Sequence, residues 1–82
     1  MGDNMDALEI FSLNLKKLRM QNGFSQKEFA EIAGLHRTYI SAIECGKRSI
    51  ALDNVQKIAD ALGVQPYQLF WIDNPQSKSK EV

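Results

Sequence analysis

The sequence predicts an all-α fold of five short helices without a strand. Apolar residues recur three and four positions apart through most of the chain, which is the spacing of one buried helix face. Four glycines, Gly23, Gly34, Gly46 and Gly63, stand where these apolar stripes end and act as helix stops. With 82 residues, 44% of them apolar, we expect one small domain whose thin core favours help from a second subunit.

The first helix is predicted from about residue 6 to 22, after a frayed N-terminus of residues 1–5. Phe11, Leu15 and Leu18 mark its buried stripe, because they repeat at the spacing of one helix face. The polar residues between them are expected to face water.

The second and third helices are predicted over residues 26–33 and 37–45. Ser25 and Glu28 have the spacing of a capping box, which starts the second helix. Gly34 ends it, because glycine takes the left-handed conformation of a helix C-terminus without steric cost. Two helices joined by a short turn containing glycine form a helix-turn-helix motif, whose second helix can enter the major groove of DNA.

A fourth helix is predicted over about residues 52–62 from its apolar repeat, and a fifth over about 66–72, with Pro66 at a first helical position. From residue 74 the sequence is polar and without periodicity, which predicts a disordered tail over residues 74–82. The DNA-binding and dimerisation domain is therefore expected to span residues 6–73.

The helix-turn-helix carries five residues with separate physical roles. They are Gln26, Ala30, Gly34, Ile40 and Glu44. Ala30 is small where the two helices cross, Gly34 turns the chain, and Ile40 fills the angle between the helices. This spacing resembles the Cro and phage-repressor family, also called the xenobiotic-response-element type. The resemblance covers residues 10–72 and implies a compact five-helix lambda-repressor-like DNA-binding domain.

A shorter string is similar to a narrower group, the controller proteins of restriction-modification systems. It runs Arg37-Thr38-Tyr39-Ile40-Ser41 and continues with Ile43-Glu44. Such controllers bind operator DNA near their own promoter as dimers. They activate their own gene and the endonuclease gene at low levels and repress at higher levels. The resemblance implies this behaviour for the present chain.

The family resemblance also implies a partly buried ion pair between Arg19 and Glu44. This pair would brace the first helix against the third, the recognition helix. The alternative is that Arg19 contacts a phosphate or is simply solvated.

The net charge is zero, but its distribution suits a nucleic-acid partner. Residues 16–48 carry seven basic and three acidic side chains, whereas residues 1–15 carry three acidic side chains and no basic one. The positive excess therefore lies on and beside the helix-turn-helix, where phosphates would be. Double-stranded DNA is the partner that this pattern favours.

Base readout is expected from the N-terminal part of the recognition helix. The predicted residues are His36, Arg37, Thr38, Tyr39 and Ser41. Arg37 can bond O6 and N7 of one guanine together, and the resemblance to controllers adds weight to the Arg37–Thr38 pair. Alternatively, Arg37 contacts phosphate alone. Three roles are open for Tyr39: a phosphate contact, a base-edge contact, or packing between helices. His36 also stands at the cap position of its helix.

Phosphate contacts are expected from two sides of the motif. The predicted residues are Ser25, Gln26 and Lys27 at the start of the second helix, and Lys47, Arg48 and Ser49 in the loop after the third. Helix N-termini favour anions, and the loop is basic and polar. For Lys47 and Arg48 the alternative is a merely solvated loop.

The last two helices carry more apolar bulk than a short exposed segment should. Part of it is expected to form a two-fold dimer interface, with the monomer core as the alternative. The predicted interface residues are Leu52, Val55, Tyr67, Leu69, Phe70 and Trp71. A two-fold homodimer would place two recognition helices about 34 Å apart, over a palindromic operator.

Catalysis, cofactors and metals are not expected. The chain has one histidine and one cysteine, which is too few for a triad or a metal site. The lone Cys45, the lack of a signal-peptide pattern and the lack of a long apolar run favour a cytoplasmic protein without a membrane partner.

The alternatives to a restriction-modification controller are a phage-type or general repressor, an antitoxin, or a protein-interaction module that does not bind DNA. Activation would require contact with RNA polymerase. The acidic residues Glu28 and Glu31 of the second helix suit such a contact, and a solvated helix face is the alternative.

Overall fold

The computed structural model describes residues 6–72, which form four α-helices and one short 3-10 helix and contain no strand. The helices are α1 (Ala7–Gln21), α2 (Gln26–Ala33), α3 (Arg37–Glu44), α4 (Leu52–Leu62) and a terminal helix, the 3-10 segment Pro66–Phe70. The predicted frayed N-terminus, residues 1–5, and the predicted tail, residues 74–82, lie outside the described residues. None of the helices within residues 6–72 has the length and apolar character needed to cross a bilayer.

Local sequence rules account for the bounds of α2. The side chain of Ser25 accepts a hydrogen bond from the Glu28 backbone N–H at 3.0 Å, and Glu28 returns one from the Ser25 N–H at 2.9 Å. At the other end Gly34 has a φ of 74°, in the left-handed region. The Leu35 N–H then reaches back to the carbonyl of Ala30 at 2.9 Å, so the chain turns sharply into α3.

One core joins all five helices. Its largest fully buried side chains come from α1, α2, α3, α4 and the terminal helix: Phe11, Leu15, Phe29, Ile40, Ile43, Ile58 and Leu69. Ala30 is only 2% exposed, which agrees with its expected position at the crossing of α2 and α3. Because Ile40 and Ile43 are held in this core, the opposite face of α3 points outward.

The fifth α-helix predicted over residues 66–72 is absent, and a 3-10 helix ending at Phe70 replaces it. A side chain of α1 holds the end of this segment. The Asn14 amide donates to the carbonyls of Leu69 and Trp71 at 2.9 and 2.8 Å. Trp71 adopts an extended conformation in this contact, so the chain leaves the helix after Phe70. The segment is short, as 3-10 helices usually are.

Candidate nucleic-acid interface

The first turn of α3 presents an exposed polar surface. His36, Arg37 and Thr38 are exposed, and Ser41 one turn later is half-buried. Among residues 6–72, no carboxylate lies within ion-pair distance of Arg37. His36 is the N-cap residue of α3, as the sequence predicts, but its side chain makes no capping hydrogen bond. Its imidazole stays available to an outside partner.

Tyr39, a residue of α3, contacts α4 and the loop that follows α3. Its hydroxyl accepts a hydrogen bond from the Asn54 side-chain amide at 2.9 Å. The Arg48 guanidinium carbon sits 5.2 Å from the centre of the Tyr39 ring, which is a cation–π distance. Of the three roles open to Tyr39 from the sequence, packing between helices is the one present in the free protein.

The start of α2 has the features of an anion site. Besides its cap bond, the Ser25 hydroxyl keeps its own hydrogen for an outside acceptor. The backbone N–H groups of Gln26 and Lys27 belong to the first helical turn, where helix geometry supplies no acceptor. The Lys27 side chain is exposed. A phosphate at this end would meet donors and the positive end of the helix dipole.

Gln26 is only partly available for phosphate. Its side-chain amide donates to Glu44 Oε1 at 3.0 Å, and the residue is half-buried. One of its two amide hydrogens is therefore used inside the protein. The predicted phosphate contact by Gln26 is limited to the other hydrogen and to the backbone N–H.

Arg19 and Glu44 form a buried, two-point ion pair between α1 and α3. Arg19 Nε lies 2.6 Å from Glu44 Oε2, and Arg19 Nη2 lies 3.0 Å from Glu44 Oε1. The Arg19 side chain is 10% exposed and the Glu44 side chain 4%. Arg19 Nη1 also donates to the carbonyl of Phe24 at 2.7 Å. With its guanidinium occupied in this way, Arg19 is neither solvated nor a phosphate contact.

The basic loop is closed against the C-terminal end of α3. The Lys47 N–H donates to the carbonyl of Ala42 at 3.0 Å, and Gly46 takes a left-handed φ of 71° to allow this turn. Lys47, Arg48 and Ser49 are all exposed. The loop and the start of α2 therefore both carry exposed donors, as a duplex seated on α3 would need.

The predicted dimer residues separate into core residues and two exposed surfaces. Leu69 is fully buried, so its assignment to the interface is wrong, and Val55, 4% exposed, is a core residue that also lines one exposed groove. Both pack inside their own protomer, because their helices close over the same core as α1. Helical spacing reveals that a face is apolar but not which neighbour covers it.

The two exposed surfaces have no lining residue in common. The first, the Leu52 groove, is lined by Ala7, Leu8, Phe11, Ser49, Ile50, Leu52, Val55 and Phe70. The second, the Tyr67 cleft, is lined by Asn14, Lys17, Leu18, Gln21, Tyr67, Gln68 and Trp71. The first is almost wholly apolar, whereas four of the seven residues of the second are polar. The predicted interface is thus not one continuous patch.

Several structural contacts were not predicted from the sequence. The buried Ser12 hydroxyl donates to the carbonyl of Ile43 and so satisfies the C-terminal end of α3. Asn14 and Asn54 make the contacts described above. Each is a single polar side chain whose partner lies at least 15 residues away, so no local spacing marks it. Within residues 6–72 no cluster of three or more potential metal ligands occurs.

Comparison with known proteins agrees with this geometry. A family model described as helix-turn-helix matches residues 15–69. A hypothetical transcription factor of Neisseria meningitidis serogroup B is 45% identical over 67 residues. That match covers 82% of this chain, and the chain spans 63% of the relative. The control protein C.BamHI of Bacillus amyloliquefaciens is 46% identical over 61 residues, covering 73% of this chain and 75% of the relative.

A solved structure of a controller protein is also similar to this chain in sequence and fold. It is the restriction-modification controller protein C.Esp1396I, a tetramer in complex with its natural 35 base-pair operator. The two chains share 31% identity with a TM-score of 0.73, over 82% of this chain and 88% of the other. The chain therefore belongs to the helix-turn-helix family of transcriptional regulators and is a homologue of the control proteins of restriction-modification systems.

Proposed function

We propose that this protein is the controller of a restriction-modification system. It binds a palindromic operator as a homodimer, regulates its own promoter and sets the level of the endonuclease gene. The observation that carries the proposal is the first turn of α3, where His36, Arg37 and Thr38 are exposed while Ile40 and Ile43 fix the helix in the core. Such a helix can enter the major groove without rearrangement.

Each contact class has residues in a suitable place. Arg37 and Thr38 read bases, with His36 and Ser41 beside them. The start of α2 and the basic loop hold the phosphates on either side. The protein acts by binding rather than by catalysis, in the cytoplasm. The acidic residues Glu28 and Glu31 of α2 are the proposed site for an activating contact with RNA polymerase.

We assign the two-fold interface to the Leu52 groove. Leu52 is 84% exposed, and Ser49 is the only polar residue that lines this surface. Homodimer interfaces are more apolar than the rest of a protein surface, which favours this groove over the more polar Tyr67 cleft. Phe70 is 39% exposed, its ring centre lies 5.3 Å from that of Phe11 with the two rings tilted, and it offers a second anchor next to Leu52.

Leu52→Ala is expected to raise the dimer dissociation constant by about tenfold or more, since each protomer loses buried apolar area at the interface. Tyr67→Ala is the matched control on the Tyr67 cleft and should leave the constant unchanged. Sedimentation velocity over a range of micromolar concentrations measures both. The opposite ranking of the two variants would move the interface to the Tyr67 cleft. A wild-type species of 9.3 kDa throughout would reject the dimer.

The test of the proposed function is a fluorescence-anisotropy titration at about 150 mM salt, a physiological ionic strength. It compares duplex DNA from just upstream of this gene with a scrambled duplex of equal composition. We expect a preference of about a thousandfold or more, the range of specific regulators. Equal weak binding to both duplexes would reject autoregulation at this promoter.

A further inference from the structure

A three-residue contact links α4 to the basic loop through the recognition helix. Asn54 of α4 donates its side-chain amide to the Tyr39 hydroxyl at 2.9 Å. The Tyr39 ring in turn lies 5.2 Å from the guanidinium carbon of Arg48. Asn54 and Tyr39 are half-buried, whereas Arg48 is exposed. Asn54 is therefore the fixed end of this contact, Tyr39 connects the two ends, and Arg48 is the exposed cation.

The contact places Arg48 beside the first turn of α3, which carries the residues proposed to read bases. One open cleft is lined by Gly34, Leu35, His36, Thr38, Tyr39, Arg48 and Asn54. Arg48 thus lies close to the first turn of α3, although it is ten positions from Thr38 in the sequence. Within residues 6–72 the guanidinium has no carboxylate partner, so its position depends on the ring. An ordered arginine binds an anion better than a freely rotating one, because less rotamer entropy is lost.

We propose that Asn54 is a positioning residue for DNA binding. Through the Tyr39 hydroxyl it fixes the aromatic ring, and the ring holds the Arg48 guanidinium next to the start of α3, where it meets the phosphate flanking the bases read by Thr38. Tyr39 acts here as a spacer and not as a base reader. The inference rests on the proposed DNA-binding function and adds to it a residue of α4 that lies outside the helix-turn-helix.

The inference predicts matching effects from two different residues. Asn54→Ala and Tyr39→Phe each remove the same hydrogen bond, and both variants retain the aromatic ring and the arginine. Each is expected to weaken binding to the upstream duplex and to the scrambled duplex by a similar factor, about two- to tenfold per protomer, because binding must then order a freely rotating arginine. The double variant should lose no more than either single variant. Gln56→Ala is the control, because Gln56 bonds Asp60 within α4 and does not contact Tyr39.

Salt dependence separates positioning from a structural defect. Arg48→Ala should flatten the plot of log affinity against log salt by about 2, since each phosphate contributes about 0.9 and a dimer has two Arg48 residues. Asn54→Ala should shift the slope in the same direction and by no more than that amount. In the Arg48→Ala background it should have no further effect. Thermal melting of every variant shows whether folding is intact.

Three outcomes overturn the inference. Wild-type affinity in Asn54→Ala together with a loss in Tyr39→Phe would mean that the tyrosine hydroxyl contacts DNA itself. If Tyr39→Phe loses affinity for the upstream duplex alone, Tyr39 is a base reader. Additive losses in Asn54→Ala and Arg48→Ala would remove the link between them. If the wild type shows no preference between duplexes, the proposed function fails, while the scrambled duplex at low salt still tests the role of Asn54.

Discussion

Replacing Glu44 by alanine is expected to lower the free energy of unfolding by about 3–5 kcal/mol, the usual cost of breaking a buried ion pair from one side. The Arg19 side chain is 10% exposed and would keep its charge without a carboxylate partner. The Gln26 amide would lose its acceptor as well. Because Glu44 receives donors from α1 and α2 while it belongs to α3, all three helices lose a shared contact.

Chemical denaturation at one fixed protein concentration measures this loss, since the stability of a dimer depends on concentration. In a domain of this size each kcal/mol shifts the melting temperature by about 4–8 °C, so the change is large. Lys57→Ala is the control, an exposed α4 charge without a partner among residues 6–72, expected to stay within about 0.5 kcal/mol. A melting temperature for Glu44→Ala equal to that of the wild type within a degree would contradict the bracing role.

The double variant Arg19→Met, Glu44→Leu shows whether Glu44→Ala is unstable because it leaves the Arg19 charge unpaired or because the attraction between the two side chains is lost. Replacing a buried pair by apolar residues of similar volume is often neutral or stabilising. We therefore expect it to recover most of the stability lost in Glu44→Ala. An equally unstable double variant would show that the hydrogen bonds to Phe24 and Gln26, rather than the charge balance, provide the main contribution.

The sequence predicts α2 and the turn after it to the residue, because the rules involved are local. Ser25 and Glu28 are three positions apart, and Gly34 is the one residue type that takes the required backbone angle freely. The terminal helix is different. Its end is held by Asn14, which lies 55 residues from the Leu69 carbonyl that it bonds. No pattern within residues 66–72 carries that information.

The candidate site divides in the same way. The exposure of Arg37 and Thr38 follows from their place at the start of α3, and the Arg19–Glu44 pair follows from family resemblance. The contact between Asn54 and Tyr39 follows from neither, because it depends on how α4 crosses α3. For a related reason the sequence does not show whether Val55 packs in the core or at an interface: the apolar stripe of α4 can be recognised, but the element that covers it cannot.

Arg37→Ala is expected to have the largest effect on operator binding. A bidentate contact to guanine is worth about 1–3 kcal/mol, and a dimer carries two such arginines, so the loss should reach about 2–6 kcal/mol. That corresponds to a factor of about thirty to more than ten thousand in affinity. Arg37 is exposed, and no carboxylate among residues 6–72 pairs with it, so folding should be unaffected.

Two further variants distinguish base reading from charge. Arg37→Lys keeps the positive charge but lacks the planar fork that bonds O6 and N7 together, so it should lose preference for the upstream duplex while retaining affinity for the scrambled one. Lys47→Ala should instead weaken both duplexes alike and flatten the salt dependence, because a phosphate contact carries no sequence information. Equal losses on both duplexes in Arg37→Ala, with normal specificity in Arg37→Lys, would reassign Arg37 to the phosphate backbone. Base recognition would then rest on Thr38 and its neighbours His36 and Ser41.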